Sequence, residues 1–404
     1  MKLIALSFRY LWSRPLAATL NLLLLTLGLA SISFVLLASK QIDRAFERDL
    51  AGIDLVVGAK GSPMQLILAG VFHIDVPPGN IALADVRQLQ NNPQVAKLIP
   101  LSLGDSYRGF RIVGTTADYL SHYRAQLAQG RVWEQPMQVV LGAQVAQGGG
   151  AGRAMRPGDR FTGSHGLGGG GHGHGEHPYT VSGVLQACGC VLDRLILTAT
   201  ESVWQVHEKA TALDEDDRRA MEAEREVTLA LISYKSPLAA VTFPRFVNSS
   251  TSMQAAAPAV EVTRLLRMVG VGTEVLRGLG AVLLFTAGLS VFIALWNAVH
   301  ERRADLAMLR MLGAPPAKVA GLVLCEALWL AILASALGLL GGHLLTALVG
   351  YGLQVEKSLP VTGWLWLAAE GWIPAAAVGV AGLAAALPAL SAYGVDVASL
   401  LNTR

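Results

Sequence analysis

Residues able to bind a metal crowd one short stretch, Gly163-Ser-His-Gly-Leu-Gly-Gly-Gly-Gly-His-Gly-His-Gly-Glu-His177, with Cys188-Gly-Cys190 close behind. His165, His172, His174, Glu176, His177, Cys188 and Cys190 supply imidazole, carboxylate and thiolate, the natural ligands of Zn2+, Cu or Ni2+. The interleaved glycines let such a loop wrap an ion without side-chain obstruction. The spacing His-x-His-x-x-His defines no fixed geometry, so a flexible spacer is the competing reading. Two residues apart, Cys188 and Cys190 fit a disulfide poorly and are expected as thiols, which favours metal. Other chemistry is missing. The chain has no Gly-x-x-x-x-Gly-Lys-Ser/Thr loop, nucleophile elbow or His-Glu-x-x-His helix. A membrane metalloenzyme using the His/Cys cluster therefore ranks last, and no catalytic residue is expected.

These residues must be positioned by a membrane protein. Of 404 residues, 52% are apolar and 15% charged, against a usual charged share of about 25%. The apolar residues gather in four runs, 16–38, 276–299, 319–349 and 372–392, each able to cross a hydrocarbon core of about 30 Å. The first is too long for a signal-peptide core and is read as an uncleaved anchor. Residues 39–275, about 235 of them, have ordinary soluble composition, one globular domain's worth. Within them Ile53–Val57, Val95–Leu103, Phe110–Thr115, Gln138–Leu141, Thr180–Leu185 and Leu195–Ala199 read as strands. Ala84–Gln90 and Glu201–Arg225 read as helices, and 241–262 as a Ser/Ala/Pro-rich return. The expected fold is four transmembrane helices, one plus three, with a large α+β domain inserted after the first and the Gly/His insertion 163–177 inside it.

Lys2, Arg9 and Arg14 precede the first run, and Arg302, Arg303, Arg310 and Lys318 follow the second. The 350–371 connection holds, between the third and fourth runs, only Glu356, Lys357 and Glu370 as charges. This asymmetry puts both termini (1–15 and 393–404) in the cytoplasm and the large domain outside, where an oxidising compartment surrounds its cysteines. Trp364, Trp366 and Trp372 suit an outer aromatic belt, with Glu370 beside them an interfacial or short-helix residue rather than an intramembrane acid. Residues 1–15 form an amphipathic arm, with Leu3, Leu6, Tyr10 and Leu11 inward, lying on the inner leaflet. Glu326 and His343 are intramembrane ionisable groups, and for Glu326 a structural role is preferred over a proton relay. Small residues in the third and fourth runs point to close helix approach and oligomerisation. Cys325 is expected simply to pack.

The segment 300–318 is short, charged and helix-forming, held between two membrane runs. Glu301, Arg302, Arg303, Leu306, Leu309, Arg310, Leu312 and Gly313 are its candidate docking residues. Its apolar positions need a cytoplasmic partner or the bilayer, and Gly313 is expected to end the helix in a left-handed conformation.

The stretch Glu301-Arg-Arg-Ala-Asp-Leu-Ala-Met-Leu-Arg-Met-Leu-Gly-Ala314, followed by Glu326, resembles the signature of FtsX/MacB-like permeases of ABC transporters. Ala386-Leu-Pro-Ala-Leu-Ser-Ala-Tyr393 is similar to that family's C-terminus. Val139-Val-Leu-Gly-Ala-Gln-Val-Ala146, Arg156-Pro-Gly-Asp-Arg-Phe161 and Tyr179-Thr-Val-Ser-Gly-Val-Leu185 are similar to its periplasmic core. The resemblance implies a bacterial inner-membrane permease of the mechanotransmission class (type VII). It would bind no nucleic acid and would work in membrane lipid as a dimer, with a cytoplasmic ATPase and a periplasmic accessory protein. ATP would act only through the ATPase, and no cofactor would serve catalysis. Cargoes implied are peptides, antibiotics or lipoproteins, or the chain would regulate a cell-wall hydrolase. The Gly/His insertion departs from the family pattern and adds a metal ion such as Zn2+, or a metal chelate, to the candidates.

Overall fold

A computed structural model of the chain describes residues 3–148, 152–166, 177–207, 216, 219, 221–222, 224–355 and 361–394. The chain divides into a helical unit (1–42, 269–352 and 361–404) and a sheet unit (43–268 and 353–360).

Two helices open the chain, α1 (Leu3–Leu11) and α2 (Pro15–Leu50). The sheet-unit elements follow as β1 (Leu55–Ala59), α3 (Pro63–Gly70), β2 (Ile81–Ala82), α4 (Leu83–Gln90), β3 (Val95–Tyr107) and β4 (Phe110–Thr115). Next are α5 (Ala117–His122), β5 (Leu127–Gly130), β6 (Gln138–Leu141), α6 (Ala143–Ala146), β7 (Arg160–Phe161) and β8 (Ser164–His165). Then come β9 (Tyr179–Leu185), β10 (Leu195–Ala199), α7 (Thr200–His207), β11 (Glu226–Val227) and β12 (Leu229–Tyr234), then α8 (Ala239–Ser250) and β13 (Met253–Ala256). Four helices close the chain: α9 (Pro258–Glu301), α10 (Arg303–Met311), α11 (Pro316–Val355) and α12 (Trp372–Tyr393).

Among the described residues four helices are long and apolar enough to cross a membrane: α2, α9, α11 and the segment Ala368–Tyr393 containing α12. Their faces differ in side-chain size. Leu25, Leu29, Ala287, Val291, Ala331, Ala334, Ala377 and Ala385 are fully buried, whereas Leu23, Leu27, Phe285, Leu344 and Leu383 point outward. A helix apolar all round with its large residues outward is built for lipid. The small residues bring helices of the same chain together. A Cβ on Gly338 would stand 2.6 Å from the Leu29 Cβ, and one on Gly342 would stand 2.5 Å from the Ser33 Cβ. These glycines of the third span therefore set its approach to the first within one chain, the close helix approach that small residues here led us to expect. Helix α1 packs Leu3, Leu6, Tyr10 and Leu11 on this core, as its pattern suggests.

In the sheet unit, eleven strands among the described residues form one mixed sheet, in the order β13-β1-β12-β3-β4-β10-β6-β9-β5. β7 adds to β9 and β8 to β3. β10 runs parallel to β4, and β6 to β9. β4 is buried at every position, because its apolar run is covered on both faces. One core gathers Leu55, Val57, Ala230, Ile232, Phe243 and Val247; the other gathers Ile112, Val139, Leu141, Tyr179, Val181 and Ile196. All six predicted strands are present. The structure adds β12, α8 and β13 where the sequence was read without them. The predicted 201–225 helix is described as α7, ending at His207, while 208–215 lie outside the described residues.

Candidate functional sites

The charged connection between α9 and α11 folds as the nine-residue helix α10. Gly313 takes φ 91°, the Gly313 N–H donates to the Arg310 carbonyl at 3.0 Å, and the Ala314 N–H donates to the Leu309 carbonyl at 3.1 Å. Those two bonds with a left-handed glycine are a Schellman stop, as the sequence led us to expect.

Which residues α10 offers to a partner differs from the sequence reading. Leu306 is buried at 3% exposure in the chain's own helical core, and Leu309 is half-buried against it. The outward apolar positions are Met308, Met311 and Leu312, the last 84% exposed. The reason is phase: Leu306 and Ala307 fall on the face that covers α9 and α11, and Met308 and Leu312, four apart, fall opposite. Arg302 also turns inward. Its guanidinium donates to the Tyr10 carbonyl at 3.0 Å, to Glu326 Oε1 at 3.3 Å and to Ser13 Oγ, and lies 4.7 Å from the Tyr10 ring centroid. It is an internal strut joining α1, α10 and α11, and it gives Glu326 the structural role expected. Glu301 pairs with Arg14, and exposed Arg303 contacts His300.

Glu370 sits in the short 3-10 helix Ala368–Gly371, one of the two placements expected for it. It is 4% exposed, 2.9 Å from His343 Nε2, accepts from Ser33 Oγ at 3.1 Å and accepts from the Leu367 N–H at 2.8 Å. The His343 ring packs on Trp366 at 4.0 Å between centroids. The sequence reading noticed both residues and missed the pair, since the 20-odd residues that separate them give no spacing signal.

In the sheet unit, Cys188 and Cys190 are joined by a disulfide, contrary to the free thiols expected. Gly189 at φ 64° turns the chain sharply enough to hold the two Cα atoms 5.1 Å apart, inside the range a disulfide spans. Asp193 holds the turn by accepting from the Cys188 and Gly189 N–H groups at 3.0 and 2.7 Å. Oxidised, these sulfurs offer a metal no thiolate, so both leave the candidate ligand set.

Of the Gly/His residues, His172, His174 and Glu176 lie outside the described residues, and His177 is exposed just before β9. His165 is placed, and it has company. β8 pairs antiparallel with β3 so that His165 stands opposite Asp105, with the Gly166 N–H donating to the Gly104 carbonyl at 2.9 Å. His165 Nδ1 is 3.1 Å from Asp105 Oδ1, and His207 Nε2 is 3.3 Å from Asp105 Oδ2. The two imidazole rings lie 4.9 Å apart, centroid to centroid. Asp105 is 5% exposed; the side chains of His165 and His207 are 47% and 34% exposed.

Helix α7 is held over the sheet by three devices. Gly114 lets it lie close, since a Cβ there would meet Val203 at 2.6 Å. Buried Ser202 bonds with the Met137 N–H at 2.9 Å and with Thr198 Oγ1 at 2.7 Å. Trp204 Nε1 donates to the Glu226 carbonyl at 2.8 Å. His207, one turn further on, is thereby delivered to Asp105. A cavity of about 460 Å3 opens beside the cluster, lined by both imidazoles with Ser102, Trp204, Glu224 and Thr228. Asp105 and His207 were missed in the sequence because the three side chains come from separate elements; the available signal was one acid near the end of the strand Val95–Tyr107.

Two family sequence models match the chain, the MacB-like periplasmic core domain over residues 18–262 and the FtsX-like permease C-terminal over residues 277–397. No curated protein matches it. Among solved structures it is similar to the periplasmic region of MacB from Actinobacillus actinomycetemcomitans, at 12% identity and TM-score 0.35, covering 54% of this chain and 95% of that one. It is also similar to the extracellular domain of the noncanonic ABC-type transporter YknZ from Gram-positive bacteria, at 12% identity and TM-score 0.31, covering 50% and 98%.

Proposed function

The chain belongs to the FtsX/MacB-like permeases of ABC transporters, and on that premise we propose that α10 is the coupling helix through which a cytoplasmic ATPase drives its periplasmic domain. The family consists of multi-pass inner-membrane subunits, generally non-catalytic, that work with such an ATPase. The observation that carries the reading is the outward face of α10. Met308, Met311 and Leu312 are exposed between two candidate spans, and a rigid helix ended by a Schellman turn presents them. Exposed apolar side chains at helical spacing are what a groove on a partner receives. This orientation puts both termini in the cytoplasm, as the Lys/Arg asymmetry requires. The working unit is a dimer, a reading supported by Gly379 and Gly382 on α12, where an added Cβ would meet nothing beyond the local helix backbone within 4 Å among the described residues. A periplasmic accessory protein completes the assembly. Its cargo is a metal ion or metal chelate, a reading supported by the Gly/His composition. Lipoprotein or peptide extrusion, or switching of a cell-wall hydrolase, is the alternative and needs no metal.

The test uses the tagged chain purified from its native membrane. Mg-ATP hydrolysis inhibited by vanadate should accompany it. Met308→Asp with Leu312→Asp should leave the chain inserted and its thermal melt unchanged while reducing that hydrolysis roughly tenfold or more, as expected when a buried apolar anchor is lost. Undiminished ATPase association and activity in this variant would reduce α10 to a connector.

A further inference from the structure

We propose that Asp105, His165 and His207 form a binding site for a divalent transition-metal ion of the Zn2+ class in the periplasmic domain. The site gives the cargo reading its ligands, yet the binding it asserts holds or fails independently of how the chain is driven.

The donor set comes first. One carboxylate oxygen and the two imidazole nitrogens all lie within 4.8 Å of one another. Two imidazoles and a carboxylate are a ligand set that Zn2+ accepts in sites that keep a coordination position open. Hard cations such as Mg2+ and Ca2+ prefer oxygen shells and are poorly served here. Spacing agrees. Bonds of about 2.1 Å in a tetrahedron put neighbouring donors roughly 3.4 Å apart; here His165 Nδ1 is 3.1 Å from Asp105 Oδ1, His207 Nε2 is 3.3 Å from Asp105 Oδ2, and one donor from each residue falls within 4.8 Å of the others. An ion would draw the three donors together through rotation of the two partly exposed imidazoles.

The two imidazole rings lie 4.9 Å apart, centroid to centroid, against the two oxygens of one buried carboxylate. A single dication between them satisfies the carboxylate and requires both imidazoles neutral. The elements also give rigidity. Asp105 and His165 are fixed as a cross-strand pair, and His207 is fixed by the anchored helix α7. Access is provided by the partly exposed imidazoles and by the adjoining cavity of about 460 Å3, which leaves room at the open position for water or for a ligand carried by the metal. Among the described residues the donor set is Asp105, His165 and His207.

The experiment measures Zn2+ retained by the full-length chain in detergent after chelator treatment, reloading and desalting, with Co2+ absorption reporting the coordination. The wild type should hold one equivalent at this site. Asp105→Asn and His207→Gln should each weaken it roughly 100-fold or more, beyond the loss typical of an outer-shell partner, with the thermal melt of the metal-free protein unchanged. Asp105 is buried, so if its variant does not accumulate the exposed His165→Ala and His207→Gln decide the matter. A triple variant, His172→Ala, His174→Ala and His177→Ala, should keep the equivalent and its Co2+ spectrum. Retention of Zn2+ by His207→Gln, or its loss in the triple variant with the spectrum, would overturn the assignment. Neither result touches the test of the α10 coupling face.

Discussion

At the scale of single residues, His73 makes the periplasmic domain sensitive to pH. It is 7% exposed, lies 3.0 Å from the Tyr119 hydroxyl and is held well below its ordinary 6.5 by burial, with Arg111 and Arg194 adding to the effect. The unfolded chain takes up a proton below about pH 6.5 that the folded chain refuses, so stability is complete above that pH and falls as pH drops, by up to about 1.4 kcal/mol per pH unit. His73→Asn, which tolerates the positive φ of 56° at this position, should remove that slope. Thermal melts of the two proteins between about pH 7.5 and 5.5 should converge at the acid end; parallel curves would show that His73 is not the titrating group. Single residues were also where the sequence was least legible. It identified Gly313 and Glu326, because a helix stop and a buried acid are local signals. It misassigned Arg302 and Leu306, because inward and outward faces of α10 depend on what α1 and α11 present to it. Asp105 and His207 escaped it altogether, since only the β3–β8 pairing and the seat of α7 bring them together.

At the scale of elements, legibility followed local contrast. Val95–Leu103, Phe110–Thr115 and Leu195–Ala199 are β-branched or aromatic runs between turn residues and were recognised as strands. Met253–Ala256 and Leu229–Tyr234 were not, because alanine-rich and mixed runs carry no strand preference until the sheet supplies neighbours. The four spans stood out by length, yet their helices outrun them: 36 and 44 residues in α2 and α9, against the roughly 20 that a bilayer needs. The contact of the third span with the first rests on absent side chains. Gly342→Leu should drive a side chain into Ser33 and cost about 1–3 kcal/mol through overpacking. Gly278→Leu, where an added Cβ meets nothing within 4 Å among the described residues, should cost little. Melting temperatures in detergent should drop for the first and stay level for the second; equal behaviour would mean that close approach at Gly342 matters little to stability.

At the scale of the whole molecule, the membrane orientation is open to a direct check. In a Cys325→Ser background, Ala314→Cys should react with an impermeant thiol reagent only after cells are opened, and Ser249→Cys should react in intact spheroplasts. Labelling of Ala314→Cys from outside would reverse the topology and remove α10 from the reach of any cytoplasmic ATPase. Membership in an ABC permease family was readable across nearly the full chain because stretches such as Glu301–Ala314, Ala386–Tyr393 and Tyr179–Leu185 resemble that family's own, whereas a cavity lined from four elements leaves no linear trace. The strand order carries one more consequence, for the order of events during synthesis. β1 pairs with β12 and β13, and Val56 meets Ala256, so the first strand made must wait for the last. At about 5–20 residues per second, the roughly 200 intervening residues take some 10–40 s to emerge. Throughout that interval Leu55–Gly58 is an apolar strand with bare edges, the kind of segment that captures a neighbour's strand. The newborn domain should therefore depend on being shielded at its first strand, and substitutions that slow production of β13 should reveal themselves as aggregation before they reveal themselves as lost stability.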